Sequence, residues 1–401
     1  MDQTPQTLFN AQAADAPELG RLHPASAELP RLLQSWSGPT PLRICSGGTT
    51  SLAAASACWT LDLHTHGAGV HWNGVDGTVR FGAAARIRDV LAELVDHQRT
   101  IPAGLSGLPG LGYVLTGGMG PLSRRCGLAV DQLKSITGVW GSGEPFHLER
   151  SLHRQSAEWR GLAGAAPFLA VVTELELFTQ ELHPLWVQKT SGASQQLADW
   201  IEAAEQAEAG TSLQWHWGEG DQLTRLQVRW DPASDHQCLE GLHQLPSLAS
   251  PPPVSPRLHG EVVGLLGPMG AAGWRRLIPD LQRLMDQRPH PACSLSAQQL
   301  GAATAQVGVK ETSFVHRDAV WKPWITALWP AGDPEHRQRS LAWLEQVWQL
   351  LLPVCPGVHL AQLHDHLSFH QRELQLAFGS WLPELRELKR GKDPRGVLPP
   401  L

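Results

Sequence analysis

The sequence predicts an α+β chain of two domains, on three observations. Short apolar runs with strand alternation precede and follow residue 180, a helical spacing lies between early runs, and a hairpin pattern marks the second half. A chain of 401 residues is long enough to bury a full core in each domain.

Residues 1–27 are polar and alanine-rich without a period and read as a loose lead-in. Pro41-Leu42-Arg43-Ile44-Cys45 then has the apolar content of a short strand. It runs into Ser46-Gly47-Gly48-Thr49-Thr50-Ser51, a loop offering both N–H and O–H donors. Trp59, Leu61 and Leu63 alternate with polar residues as a half-buried strand does, and Val79-Arg80-Phe81-Gly82 suggests another. Ile87, Val90, Leu91, Leu94 and Val95 fall at spacings of three and four, which predicts an amphipathic helix.

A longer glycine-rich stretch, residues 104–131, contains Leu115-Thr116-Gly117-Gly118-Met119-Gly120. Glycine lacks a Cβ and adopts positive φ, so Gly117, Gly118 and Gly120 can turn successive N–H groups inward as a nest for an anion such as pyrophosphate. Two such loops favour a nucleotide cofactor, although glycine clusters also serve ordinary turns.

In the second half, Ser212–Trp217 and Leu223–Trp230 alternate about Gly218-Glu219-Gly220-Asp221, a hairpin signal. Pro251-Pro252-Pro253-Val254-Ser255-Pro256 reads as a stiff connector, and Leu382, Leu385 and Leu388 lie at helical spacing. No internal repeat is visible. The boundaries expected are a lead-in 1–27, a first domain 28–180, a second domain 181–366 and a closing segment 367–401.

Thirty-two Lys and Arg against 38 Asp and Glu give a net charge of −6, which offers no general pull toward nucleic acid or anionic membrane. The start lacks a charged-then-apolar leader pattern and no apolar run approaches a bilayer span, so a cytoplasmic protein is expected. Six scattered cysteines read as free thiols. His364-Asp365-His366 with His370 has metal-ligand residue types, but no single element presents all of them, and they read as solvated or pocket-lining. His64, His66 and His71 read as surface residues and Tyr113 as packing. Of the 17 tryptophans, Trp321, Trp324 and Trp329 could stack on a planar ligand, with core packing the reading for most.

Taken in order, these motifs resemble the FAD-binding domain of the vanillyl-alcohol oxidase superfamily, in particular its berberine-bridge-enzyme-like branch. Cys45–Thr50 is similar to the family's Arg-Ser-Gly-Gly-His-Ser, and Leu115–Leu128 to its Leu-Gly-Gly-Gly-x-Gly-x-Leu-Ser-Arg-x-x-Gly-Leu. Phe168–Thr173, Thr312–Ala319 (Thr-Ser-Phe-Val-His-Arg-Asp-Ala) and Leu388–Leu398 resemble three later family segments. The resemblance implies a two-part PCMH-type FAD-binding domain over 28–180, a substrate domain over 181–366 whose antiparallel sheet, covered by helices, overlies the flavin ring, and a return of 367–401 to the FAD-binding domain.

It further implies an FAD-dependent oxidoreductase acting on a small organic substrate, with the electron acceptor open and dioxygen a candidate. The cofactor residues implied are Ser46, Gly47, Gly48, Thr49, Thr50, Ser51, Leu115, Thr116, Gly117, Gly118, Gly120 and Val172. Thr49 and Leu105 stand where the family places a flavin-linking His and Cys, so a flavin held without a covalent bond is expected. Leu360-Ala361-Gln362-Leu363 replaces a segment that supplies active-site tyrosines, and Leu162–Ala170 replaces a glycine-rich run. The catalytic candidates are therefore His364 as base, then His316, with Arg317 either orienting substrate or stabilising an anionic flavin, or equally forming a structural link with Asp318. The competing reading is a catalytically degenerate relative serving as a binding or scaffold protein.

Overall fold

The structure is a computed structural model and describes residues 18–50, 57–67, 69–219, 222–230, 238–245 and 258–401. Ser51, the hairpin-turn residues Gly220 and Asp221, the proline-rich connector and most of the lead-in lie outside the described residues.

The first half is built in two parts. Strands β1 (Gly20–Leu22), β2 (Leu42–Cys45) and β3 (Trp59–Asp62) form a parallel sheet in the order β1-β3-β2. The expectation of a half-buried β3 is corrected here: as the central strand it has Thr60 and Leu61 both fully buried, because parallel sheets are covered on both faces. Strands β4 (Val70–Asn73) and β5 (Thr78–Gly82) follow, then helix Ile87–Val95, whose Ile87, Val90, Leu91 and Leu94 are buried as their spacing requires. The short β6 (Arg99–Thr100) precedes β7 (Leu133–Trp140), β8 (Pro145–Glu149) and β9 (Ala170–Phe178). β4, β5, β9, β7 and β8 make a five-stranded antiparallel sheet in that order. β10 (Gln180–Glu181) pairs back onto β6, so the chain stays attached to the first half through Glu181.

The second half is a seven-stranded antiparallel sheet. Its strands are β11 (Leu185–Gly192), β12 (Thr211–Trp217), β13 (Leu223–Trp230), β14 (Leu258–Leu266), β15 (Ser294–Gln299), β16 (Trp321–Pro330) and β17 (Gly357–Val358), in the order β11-β13-β12-β15-β16-β14-β17. Helices Leu197–Glu205, Ala271–Asp286 and Pro334–Leu351 cover one face, where Trp343 Nε1 donates to Leu284 O and Trp215 packs edge-on against Trp274. Side chains alternate across β16, so Trp321, Ile325, Ala327 and Trp329 are buried while Lys322, Trp324, Thr326 and Leu328 are only partly so. Trp321 donates from Nε1 to Glu205 Oε1 of the covering helices, which leaves Trp324 alone of the three tryptophans on the opposite face.

The halves meet along a seam at Ser313. Its N–H donates to Ala163 O at 2.8 Å, its hydroxyl donates to Arg160 O, and Trp381 Nε1 donates to that hydroxyl. Ser313 also crowds Gly164, whose φ of +134° kinks helix Ala157–Leu169: a Cβ on Gly164 would sit 2.7 Å from Ser313 Cβ. The C-terminal helix Leu382–Lys392 packs on this kinked helix, with Lys389 Nζ donating to Phe168 O, and Leu42 N–H donates to Val397 O beyond it. All six cysteines are free thiols.

Candidate active site

A cavity of about 300 Å³ lies between the halves. One wall is Ser46, Gly47, Gly48, Thr49 and Thr50, the loop that continues β2. Ser46 Oγ donates to Ala83 O at 2.8 Å, anchoring the loop to the end of β5, and Gly48 has φ of +66°. A Cβ on Gly47 would lie 2.4 Å from Gly110 N, and one on Gly110 would lie 2.4 Å from Ser46 Oγ. The two glycine loops therefore close on each other through bare backbone, which only glycine permits.

Leu115, Thr116 and Val172 also line the cavity, together with Gly110, Gly112 and Tyr113. Gly117, Gly118 and Gly120 do not. Gly117 and Gly118 accept from Val130 and Ala129 N–H groups, and a Cβ on Gly118 or Gly120 would strike Ala129 Cβ at 2.5 Å or Ala103 O at 1.8 Å. They turn the chain behind the wall, and the backbone that reaches the cavity is that of residues 46–50 and 110–112. Thr116 Oγ1 is spent on Gly112 O at 2.6 Å. Tyr113 has its hydroxyl oxygen buried and its pKa pushed well up by burial, so it holds its proton.

The alanine-rich run ends on the cavity as Ala166, Pro167, Phe168 and Ala170. With Ile44, Leu63, Leu111 and Leu115 these give an apolar lining beside the hydroxyl-rich loop. A ligand with a polar, anionic middle and a flat apolar ring system suits that surface, and FAD is such a molecule. The residues present fit it.

The opposite wall comes from the second half: Glu261 and Val262 on β14, and Ala361, Gln362 and His364 after β17. His364 is buried between two carboxylates, with Nδ1 2.7 Å from Glu373 Oε1 and Nε2 3.3 Å from Glu261 Oε2. Burial opposes its charge, but Glu373 and Glu261 outweigh burial and raise its pKa above the ordinary imidazole value. Glu373 is held below the usual carboxyl range, burial being outweighed mainly by His364.

His366 Nε2 lies 2.7 Å from Glu261 Oε1. Against burial, Asp365 and Glu261 raise its pKa to about 9. Asp365, paired with Arg43 of β2, is lowered to about 2. His364 directly precedes a turn at residues 365–366, and His370 begins helix His370–Phe378.

The other two catalytic candidates are not at the cavity. His316 Nε2 donates to Leu376 O at 2.6 Å, and burial lowers the pKa of its ring. Arg317 is buried with NH1 and NH2 on the two carboxylate oxygens of Asp131 at 3.0 and 2.8 Å, and it also donates to Phe314 O and Thr312 Oγ1. Its donors are consumed in tying the Thr312–Ala319 segment to the 129–132 turn. The family-like motif here is a structural link. Glu261, Glu373, Gly110 and Gly112 were missed in the sequence; the one signal for Glu261 is a lone acid in the apolar run Leu258–Leu266.

This two-part fold with its glycine loops is the one shared by proteins that carry a PCMH-type FAD-binding domain. Within that class the chain has the berberine-bridge-enzyme-like fold, and its cofactor is FAD. Residues 32–149 match the FAD binding domain family. The chain is similar to the FAD-dependent monooxygenase FUP4 of Fusarium proliferatum, 32% identical over 111 residues, covering 27% of this chain and 21% of the relative. That match spans about a fifth of the relative's length. An uncharacterized FAD-linked oxidoreductase of Bacillus subtilis, YgaK, is 20% identical over 377 residues, covering 80% of this chain and 76% of that one. Among solved structures, a chitooligosaccharide oxidase superposes with a TM-score of 0.83 at 18% identity, covering 98% of this chain and 92% of the other. Berberine bridge enzyme from Eschscholzia californica does so at 0.79 and 15%, covering 95% and 88%.

Proposed function

We propose that the chain is an FAD-dependent oxidoreductase that removes a hydride from a small organic substrate of alcohol, sugar or amine type. When bound, FAD supplies the hydride acceptor. The observation that carries the reading is the cavity itself, which joins a cofactor-shaped wall to a wall of buried titratable groups. Ser46–Thr50 and the 110–112 backbone would hold the pyrophosphate-bearing part, and the apolar lining would exclude water from the ring end. Thr49 and Leu105 offer no side chain able to bond the flavin, which supports a non-covalent cofactor. Taking the substrate's proton falls to the second wall. His364 lies between Glu261 and Glu373 and positions Glu261, whose Oε2 is 3.3 Å from His364 Nε2 but makes no hydrogen bond, and whose side chain lines the cavity. Glu261 Oε2 is the acceptor for that proton.

No helix among the described residues is long and apolar enough to cross a membrane, which supports the proposed cytoplasmic location. Dioxygen is the proposed electron acceptor, a reading supported by the name chitooligosaccharide oxidase of one structural neighbour. The deciding measurement is the absorption spectrum of purified protein before and after acid precipitation. Flavin bands that pass entirely into the supernatant are expected. Protein that carries no flavin and takes up none when FAD is added would remove the enzyme reading and leave a scaffold, and flavin retained on the precipitate would remove the non-covalent one.

A further inference from the structure

We propose that His23, Asp62 and His64 form a binding site for a divalent transition-metal ion of the zinc class, which clips the N-terminal segment to the parallel sheet. The site does not depend on the oxidoreductase reading. Its residues converge because of strand register: β1 pairs with β3 in parallel, with Leu22 opposite Leu61, so the next residue, His23, emerges beside Asp62. His64 follows two positions later on the turn after β3. One ligand atom from each of the three residues lies within 4.8 Å of the other two.

Two imidazoles and a carboxylate are the donor set that zinc and its neighbours prefer, with one position left for water. Asp62 is buried, and its Oδ1 is aimed at the site, accepting from His64 N–H at 3.0 Å with His64 Nδ1 at 2.7 Å. Its Oδ2 takes Arg21 NH1 at 3.3 Å, an outer contact of the kind that orients a ligating carboxylate. Arg21 is itself paired with Glu18, so Glu18, Arg21 and Asp62 together carry one net negative charge.

The His23 and His64 rings stand edge to face with centroids 5.3 Å apart. Tetrahedral ligation places donor atoms roughly 3.3 Å apart. His23 is exposed and can make the inward movement needed, while the His64–Asp62 contact opens slightly. Asp62 is the register partner of Cys45, the residue before Ser46. The clip would thus sit at the strand ends that feed the first cofactor loop.

The test uses untagged full-length protein stripped with chelator, titrated with Zn2+ by calorimetry and with Co2+ by visible absorption. One equivalent should bind, with the intense visible bands of a low-symmetry Co2+ site. His23→Ala and His64→Ala should each weaken binding about tenfold or more, as His71→Ala should not. Saturating Zn2+ should raise the melting temperature of the wild type but not of His23→Ala. His23 is exposed, so this variant keeps the test valid even where a change at buried Asp62 prevents folding. Absence of stoichiometric binding, or binding unchanged by both histidine substitutions, would overturn the site.

Discussion

The cavity's two walls are made of different chemistry and fixed by different means. On the cofactor side, Ser46–Thr50 and Gly110–Gly112 present backbone and hydroxyls, and their geometry rests on one close approach between two glycines. On the far side Glu261, His364 and, behind them, Glu373 and His366 are titratable groups in mutual contact. A wall of bare backbone tolerates no added atom and is indifferent to pH. A wall of paired charges tolerates isosteric change but answers to protons. The comparison separates binding from chemistry, and substitutions on each side can break it.

The largest effect on cofactor binding belongs to Gly47→Val. Its Cβ has no room beside Gly110, so FAD affinity should fall by about a hundredfold or more, a loss of ~2.7 kcal/mol, read as colourless protein at ordinary flavin concentrations. If Gly47→Val binds FAD normally, the cradle is misassigned. Away from both walls, Arg317→Ala leaves the Asp131 carboxylate buried and unpaired. This should cost about 3–5 kcal/mol in urea unfolding without altering the spectrum of any flavin retained. A spectral change would return Arg317 to the cofactor.

Glu261→Gln keeps the shape of the far wall and removes its proton acceptor. Substrate-driven flavin reduction should slow by about a hundredfold, with FAD affinity unchanged. His364→Ala should slow it as well, and His316→Ala should not. Equal rates in wild type and Glu261→Gln would move the proton acceptor elsewhere.

The smallest effect is a pH dependence. His364 and His366 have raised pKa values, so their contribution to stability is full below about pH 6.5 and is lost as pH rises, for His366 through about 9. Asp365 and Glu373 are lowered, so theirs is present above about pH 4.5 and is lost on acidification, for Asp365 through about 2. Melting temperature should therefore fall from pH 6.5 toward 9, and Glu261→Gln should flatten that limb. A limb of the same steepness in the variant would show that the histidines draw their charge from other partners.

Much of the fold was legible because its determinants are local. The spacing in Ile87–Val95, the alternation about residues 218–221 and the first glycine loop each declare themselves within a dozen residues. The far wall was not, since Glu261 and His364 are 103 positions apart in sequence and meet only because β14 and the turn after β17 are neighbours in the sheet. His364 could be singled out from its place in the chain, but not its charge, which comes from Glu261 and Glu373. Gly118 and Gly120 pack closely against Ala129 and Ala103, and in sequence a glycine needed for close packing looks the same as one that faces a ligand.

The seam at Ser313 bears on how the protein loads its cofactor. Backbone, hydroxyl and indole bonds converge there from three stretches of chain, against a glycine that cannot acquire a side chain. Parting the halves along that line would break all of them together, so the seam behaves as a weld rather than a hinge. A dinucleotide that lies between the halves would then have to be threaded in past the welded edge or be present as the weld forms. In the second case the order of assembly, more than the affinity of the finished site, sets how much of the protein leaves the ribosome with its cofactor in place.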